Sequence, residues 1–426
     1  MVMPSSRLNT NIIWLTCGHL ASVIAVLTMT KLWAIYFDPD EFGVIALVIG
    51  TASMLFATLL GPVLQTLLVG YVKYSKSNAG HDYRVITSNL IRRRLTIYAI
   101  PLLFICEFLC WYWGLHWTIP ILVLGLITVD TARTFEQRLC AAAQRQRAVA
   151  ILTAGDVVFR AAFVFIFLLS FEPSVNVAIA GNLIGATLFI LSVYLLSSPV
   201  SLKGTGEPSA ETNRKVTDET NNLAKPLLPS LLLSNLTETG NRYIISAILG
   251  LQSAGLYFAA YGLVRRPYGI LGNIGETLMT PALKIAVEHG EHERIKQTRF
   301  RWLVFIVTFS LLGALLFYVL REPLVLLLLS EEYLGAADLL SGLAIAITLH
   351  TIANVFNWFS MTLGKSQPVL TNNLVGSTVT TVLTVLLCAS IGINGAIWAL
   401  VFGHAAQLTT SMITFKSVLA LHENQG

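Results

Sequence analysis

Apolar residues run in long blocks separated by short polar turns, and the pattern covers nearly all of the chain. A helix crosses the hydrocarbon core of a bilayer in about 20 residues, so the blocks predict twelve spans. Six lie over 12–37, 42–72, 95–113, 117–133, 151–171 and 175–196, and six over 226–250, 254–281, 302–320, 336–363, 369–391 and 393–415. The stretch 324–329 is apolar but too short to cross alone. Between the sixth and seventh spans the pattern stops. There SSPVSLKGTGEPSAETNRKVTDETNN is polar and rich in Gly, Ser, Thr, Asn and Pro, which predicts a flexible cytoplasmic linker. The expected organisation is an N-terminal six-helix bundle over 1–197, a linker over 198–225 and a C-terminal six-helix bundle over 226–426.

Composition agrees with the pattern and narrows the class. At 426 residues the chain is 55% hydrophobic and only 12% charged, with a mean hydropathy of +0.70. Soluble domains carry about 25% charged residues, so an all-α polytopic membrane protein is expected. The first span is longer than a signal-peptide core and is not followed by a small-residue cleavage site, so it reads as retained. Cys17, Cys106, Cys110, Cys140 and Cys388 lie in or beside apolar spans without CxxC spacing and predict no disulfide framework.

Charge sets the orientation. The formal net charge is +5, but the basic residues sit in short loops rather than on one face, so no nucleic-acid partner is expected. Lys and Arg crowd the loops on one side, as in Arg92-Arg93-Arg94 and Arg294-Ile295-Lys296, whereas the opposite loops hold Arg321 among Asp38, Asp40, Glu41, Glu172, Glu322, Glu331, Glu332 and Asp338. The positive-inside rule then places both termini in the cytoplasm. The alternation requires an even number of spans.

Ten charged residues fall inside spans: Lys31, Arg160, Arg242, Arg265 and Arg266, with Glu107, Asp130, Asp156, Glu238 and Glu276. A charge at mid-bilayer costs about 2.5 to 3.5 kcal/mol on insertion scales, so such residues face a bundle interior or a wet cavity. Asp156 with Arg160, and Glu238 with Arg242, share (i, i+4) spacing and fit helix-locking ion pairs as well as a functional site. Arg265 and Arg266 have no acid within a turn. Neighbours on a helix point about 100° apart, so only one of them can face a given cavity. Pro267 follows them and predicts a kink.

The halves repeat weakly in the same direction. Phe42-Gly43-Val44-Ile45-Ala46 opens the second span as Ala254-Gly255-Leu256-Tyr257-Phe258 opens the eighth. Val175-Asn176-Val177-Ala178-Ile179 corresponds to Ile393-Asn394-Gly395-Ala396-Ile397, and the turn at Arg145 to the one at Lys365. Two six-helix bundles related by a parallel pseudo-two-fold repeat are therefore expected, and such repeats place a transport pathway at their interface.

On these motifs the chain resembles the polysaccharide repeat-unit flippases of the multidrug/oligosaccharidyl-lipid/polysaccharide (MOP) exporter superfamily. Tyr36-Phe37-Asp38-Pro39-Asp40-Glu41-Phe42-Gly43-Val44 is similar to that family's first external turn. Asn241-Arg242-Tyr243-Ile244-Ile245, with Gly250 and Ala254-Gly255-Leu256-Tyr257, is similar to its seventh-to-eighth helix turn, and Glu332-Tyr333 with Ala336-Ala337 to the segment before the tenth helix. The family commonly has Asp where this chain has Asn241. The resemblance implies a twelve-helix flippase of the bacterial inner membrane that carries a polyprenyl-pyrophosphate-linked oligosaccharide to the outer leaflet, working beside a polysaccharide polymerase and chain-length machinery. Its pyrophosphate suits Arg265, Arg266, Arg242, Arg160 and Lys31 around a cationic central cavity, in alternating access. Glu238, Asp156, Asp130 and Glu276 would bind a coupling H+ or Na+, with no other cofactor.

Other readings are weaker. An ion-coupled drug or small-solute antiporter of the same superfamily would depend more on buried acids and aromatics than on several intramembrane Arg. A polysaccharide polymerase or lipid-sugar glycosyltransferase usually needs a large outer loop, and the longest outer connection here is 321–335. Glu288-His289-Gly290-Glu291-His292 reads as a solvated helix rather than a metal site. His19, His350 and His404 are each alone in their span and read as core histidines. The chain contains no Walker motif, catalytic triad or zinc spacing.

Overall fold

A computed structural model describes residues 5–76, 79–112, 114–196, 208–225, 227–289, 291–363, 365 and 367–423. Among them every regular element is helical, and the chain forms two compact units.

Unit 1 comprises 1–37 and 45–235. It contains α1 (Ser5–Tyr36), most of α2 (Pro39–Leu59), α3 (Gly61–Lys76), α4 (Gly80–Tyr112), α5 (Ile119–Ala142), α6 (Gln146–Ser170), α7 (Val175–Leu196) and α8 (Ala210–Ala224). The second span is thus two helices, since Pro62 has no N–H to continue the ladder across Leu60-Gly61. Inside the unit α6 packs on α1 and α7, and α5 on α3, α4, α6 and α7.

α8 departs from the expected flexible linker. Ser209 Oγ caps it by accepting from the Thr212 backbone N–H at 3.2 Å. Val216, Thr220 and Ala224, four residues apart, form a buried stripe that packs on α3 and α4. Lys73 Nζ donates to Glu219 Oε2 at 2.8 Å, Tyr74 Oη donates to the same oxygen at 3.0 Å, and Arg94 reaches Asn221. The hydrogen bond from Lys73 holds the Glu219 carboxyl below its ordinary range, against a smaller opposing effect of desolvation. A depressed carboxyl contributes stability above its unfolded value near 4.5, lost as pH falls through the folded value. Glu219→Gln at neutral pH should therefore cost under about 1 kcal/mol and flatten the stability curve between about pH 5 and 3, as read by thermal melting.

Unit 2 comprises 38–44 and 236–426. It takes all but the first residues of the long helix α9 (Leu227–Glu288), which is broken at Gly250, whose φ of 86° and ψ of 173° suit glycine alone. The two arms of α9 are the seventh and eighth predicted spans, and their junction is this one residue rather than a loop ending at Ala254. Pro267 leaves the backbone dihedrals helical, so the expected bending point falls at Gly250 instead. After α9 come α10 (His292–Val319), the short α11 (Arg321–Leu328), a tight turn at Glu331–Ala336, α12 (Ala337–Thr362), α13 (Gln367–Ile391) and α14 (Ile393–Glu423). α14 packs on α12 and α13, and α10 on α12. Tyr268 ties α9 to both by donating to the Ser310 carbonyl at 2.8 Å and accepting from Thr348 at 3.1 Å.

Segment 38–44 lies in unit 2 through a close backbone crossing with α9. A Cβ added to Gly43 would stand 2.5 Å from the Leu251 carbonyl, and one added to Gly255 would collide with the Pro39 carbonyl. Phe42 packs edge-on against Tyr333 at 5.6 Å. The similar words around Gly43 and Gly255 meet at this crossing.

Nine stretches among the described residues are long and apolar enough to cross a membrane. One of them, Thr239–Gly272, runs through the Gly250 break. Outward-facing apolar side chains such as Phe104 on α4 (74% exposed) and Leu315 and Val319 on α10 make sense only against lipid. The protein is a multi-pass membrane protein.

Candidate functional site

Charge and polarity inside the helices collect in four places, and their degree of internal satisfaction differs.

In unit 1, α5, α6 and α7 bring together Asp130, Arg133, Asp156, Arg160 and Asn182. Arg160 donates through Nε to Asp156 at 3.0 Å, through Nη1 to Asn182 at 2.8 Å and through Nη2 to Asp130 at 2.6 Å. Arg133 stands 3.4 Å from Asp156 and 3.7 Å from Asp130. Two guanidiniums thus balance two carboxylates. Every nitrogen of the Arg160 head is engaged, so in this conformation the group is a neutral clamp rather than an open anion receptor. The (i, i+4) spacing of Asp156 and Arg160 was visible in the sequence, but Asn182 and Asp130 enter only through the packing.

Sequence reasoning missed a second buried pair. Arg84, which falls between the second and third predicted spans, is 8% exposed and grips Glu136 (2% exposed) with both terminal nitrogens, while Tyr194 donates to the same carboxylate at 3.0 Å. Arg84 also lies over the Phe135 ring. The pair lines a cavity of about 530 Å³ together with His81, Ser88, Asn89 and Arg92. No local spacing could have found it, because the partners are 52 residues apart.

In unit 2, the two arms of α9 supply Arg242, Arg265 and Arg266. Arg242 lies over the Phe258 ring at 5.2 Å, and it is close enough to Arg266 for the like charges to act on each other. All three guanidiniums are half-buried. Among the described residues no ion pair to Arg266 is found. Beside Arg242, Asn241 is buried and accepts from Thr384 at 3.4 Å. The side chains of Glu238 and Glu276 lie outside the described residues. Lys31 is half-buried in unit 1 and Glu107 is exposed on α4.

The amides of unit 2 form a one-way series of hydrogen bonds through α12, α13 and α14. Thr414 donates to Asn372 at 3.2 Å, Asn372 to Asn357 at 2.8 Å and Asn357 to Asn354 at 3.4 Å. Asn354 then donates to His350 Nε2 at 3.0 Å, and His350 Nδ1 meets Gln407 Oε1 at 3.0 Å. Gln407 passes the direction on by donating to Asn373 at 2.9 Å. His350 and His404, expected to stand alone, are tilted against each other at 4.6 Å, whereas His19 is exposed.

The chain has the same fold as a lipid II flippase MurJ in an inward closed conformation, with a TM-score of 0.73 at 15% identity over 95% of this chain and 87% of that one. An inward-facing multidrug resistance MATE family transporter of the MOP superfamily gives 0.65 at 13% identity over 96% of each chain. A MOP superfamily transporter from Pyrococcus furiosus, described as having a binding pocket of reversed polarity, gives 0.65 at 12% over 96% of this chain and 95% of that one. No curated protein sequence matches. The fold is thus that of the MOP exporters, the membrane architecture expected from the sequence. The family model described as polysaccharide biosynthesis protein matches residues 33–338, more than half of the chain, and the chain belongs to that family.

Proposed function

We propose that the protein is a flippase that carries a polyprenyl-pyrophosphate-linked oligosaccharide from the cytoplasmic to the outer leaflet of the bacterial inner membrane for surface polysaccharide assembly. One observation carries the reading: α9 holds three half-buried guanidiniums within apolar arms, and Arg266 has no ion pair among the described residues. A fixed fork of donors that stays protonated in a low-dielectric setting suits a compact phosphate dianion. Family membership supports the reading. The head group binds Arg242, Arg265 and Arg266 and the site is exposed to each side in turn, while the prenyl tail stays in lipid. Arg160 serves unit 1 as a clamp, and Lys31 is a secondary contact. Both termini are cytoplasmic, and the lipid product passes to a polysaccharide polymerase. The activity is translocation, not catalysis.

Arg265→Ala and Arg266→Ala are the test. Losing a charge-assisted contact in a desolvated site costs about 2 kcal/mol or more, so at least one variant should lose about thirtyfold in flipping rate and fail to make surface polysaccharide at an unchanged membrane level. Full activity in both would overturn the reading. The likeness to MATE transporters favours a second reading, a small-solute antiporter. Export of organic cations that both variants retain would establish it.

A further inference from the structure

We propose that unit 1 carries a head-group pocket for an anionic phospholipid, formed where α4, α5 and α7 leave the apolar layer of the membrane. The inference does not rest on the reading of α9, and it holds for a lipid-linked cargo and for a small solute alike.

The cavity of about 530 Å³ around Arg84 fixes the place and the depth. From α4 it takes Ser88 and Arg92, just before the third predicted span begins at 95. Glu136 of α5 lies just past the end of the fourth at 133, and Tyr194 of α7 near the end of the sixth at 196. Three span ends thus meet at one level. Just beyond Arg92, Ile97 and Ile100 of α4 are 57% and 65% exposed, and such side chains belong against acyl chains. The cavity therefore stands beside lipid at head-group depth.

Its wall carries surplus positive charge. The carboxylate of Glu136 has both oxygens engaged by Arg84, with Tyr194 donating as well, so that pair is neutral as a whole. Arg92 is left over: it is exposed, and its side chain makes no hydrogen bond or ion pair among the described residues. At the other end of the cavity His81 Nδ1 is buried with no hydrogen-bond partner, which is rare for a polar atom unless a ligand or water meets it. Spacing decides between an ion and a head group. Ser88 is one turn from Arg92, but His81 is eleven residues away, about 16 Å along a helix. A free phosphate reaches one end only. A phospholipid extends along the row, with its phosphate on Arg92 and Ser88, its head-group hydroxyls toward Asn89 and the His81 end, and its acyl chains along Ile97 and Ile100. The volume falls within the roughly 300 to 1,000 Å³ of ligand cavities, and basic pockets between membrane helices at this depth hold anionic lipid head groups.

The experiment uses the full chain in neutral detergent, with phosphatidylglycerol and phosphatidylcholine as probes and native mass spectrometry as the readout. Wild type should retain phosphatidylglycerol in preference to phosphatidylcholine at equal concentration. Arg92→Ala should weaken that binding about fivefold or more. Arg93→Ala removes an equally exposed cation outside the cavity and should bind as wild type does. Ser88→Leu puts an apolar side chain into the cavity and should lose the lipid at an unchanged melting temperature of the lipid-free protein. Equal binding of the two lipids, equal weakening in Arg92→Ala and Arg93→Ala, or full binding in Ser88→Leu would overturn the proposal. Displacement by inorganic phosphate would make the cavity a soluble-anion site, and displacement by an equal amount of polyprenyl phosphate would make it a station for cargo; either overturns the assignment to a phospholipid of the surrounding membrane.

Discussion

Replacing Gly255 by valine is expected to remove folded protein from the membrane, whereas alanine at Gly262, seven residues along the same arm of α9, should be neutral or slightly stabilising. The contrast isolates one cause. At Gly262 an added Cβ meets nothing within 4 Å, while at Gly255 it runs into the carbonyl of Pro39 and lies 3.1 Å from the Gly43 nitrogen. A backbone obstacle cannot move aside by changing rotamer. The helix must withdraw, which opens the Gly43 crossing and pulls Phe42 from Tyr333. Overpacking a tight contact costs about 1 to 3 kcal/mol when side chains can yield, and this site should reach or exceed the upper figure. At Gly262, removing a helix-interior glycine is worth up to about 1 kcal/mol. Detergent-solubilised yield and melting temperature of the two variants measure the difference.

The membrane architecture was legible because a single solvent enforces it. A span must be long, apolar and helical, and this requirement located the predicted blocks now seen as α1 to α7, the two arms of α9, α10 and α12 to α14. Breaks inside the apolar blocks were harder to find. Both Gly250 and the junction before Pro62 look like any other small or kinked position of a span until the dihedrals are known. α8 was hidden by its composition: a polar stretch suggests a coil, although the Ser209 cap and the four-residue spacing of Val216, Thr220 and Ala224 were there to be counted. Of the candidate site, the arginines of α9 could be read because charge within an apolar run stands out. The histidine pair could not, since His350 and His404 lie on helices that meet only after folding. Glu136 was lost for a related reason, because a carboxylate near the end of a span is unremarkable until the arginine that neutralises it is known.

Arg160→Ala is expected to destabilise unit 1 by about 3 to 5 kcal/mol, the range for breaking a buried ion pair by removing one partner. The variant would leave Asp130, Asp156 and the Asn182 oxygen facing one another, with Arg133 at 3.4 and 3.7 Å as the remaining balance. A compensated variant, Asp156→Asn with Arg160→Gln, keeps hydrogen-bonding groups at both positions and removes one charge of each sign. It should recover most of the loss, since neutral replacement of a buried pair is often close to neutral in stability. The comparison also separates a clamp from an ion site. If Asp156 serves only to hold Arg160, the compensated variant folds and flips substrate. If Asp130 and Asp156 bind a coupling cation, the variant folds yet loses transport, and wild type, unlike the variant, gains thermal stability on titration with Na+. The engaged geometry of Arg160 favours the first outcome: a cation would have to displace a guanidinium that already holds both carboxylates at 2.6 and 3.0 Å.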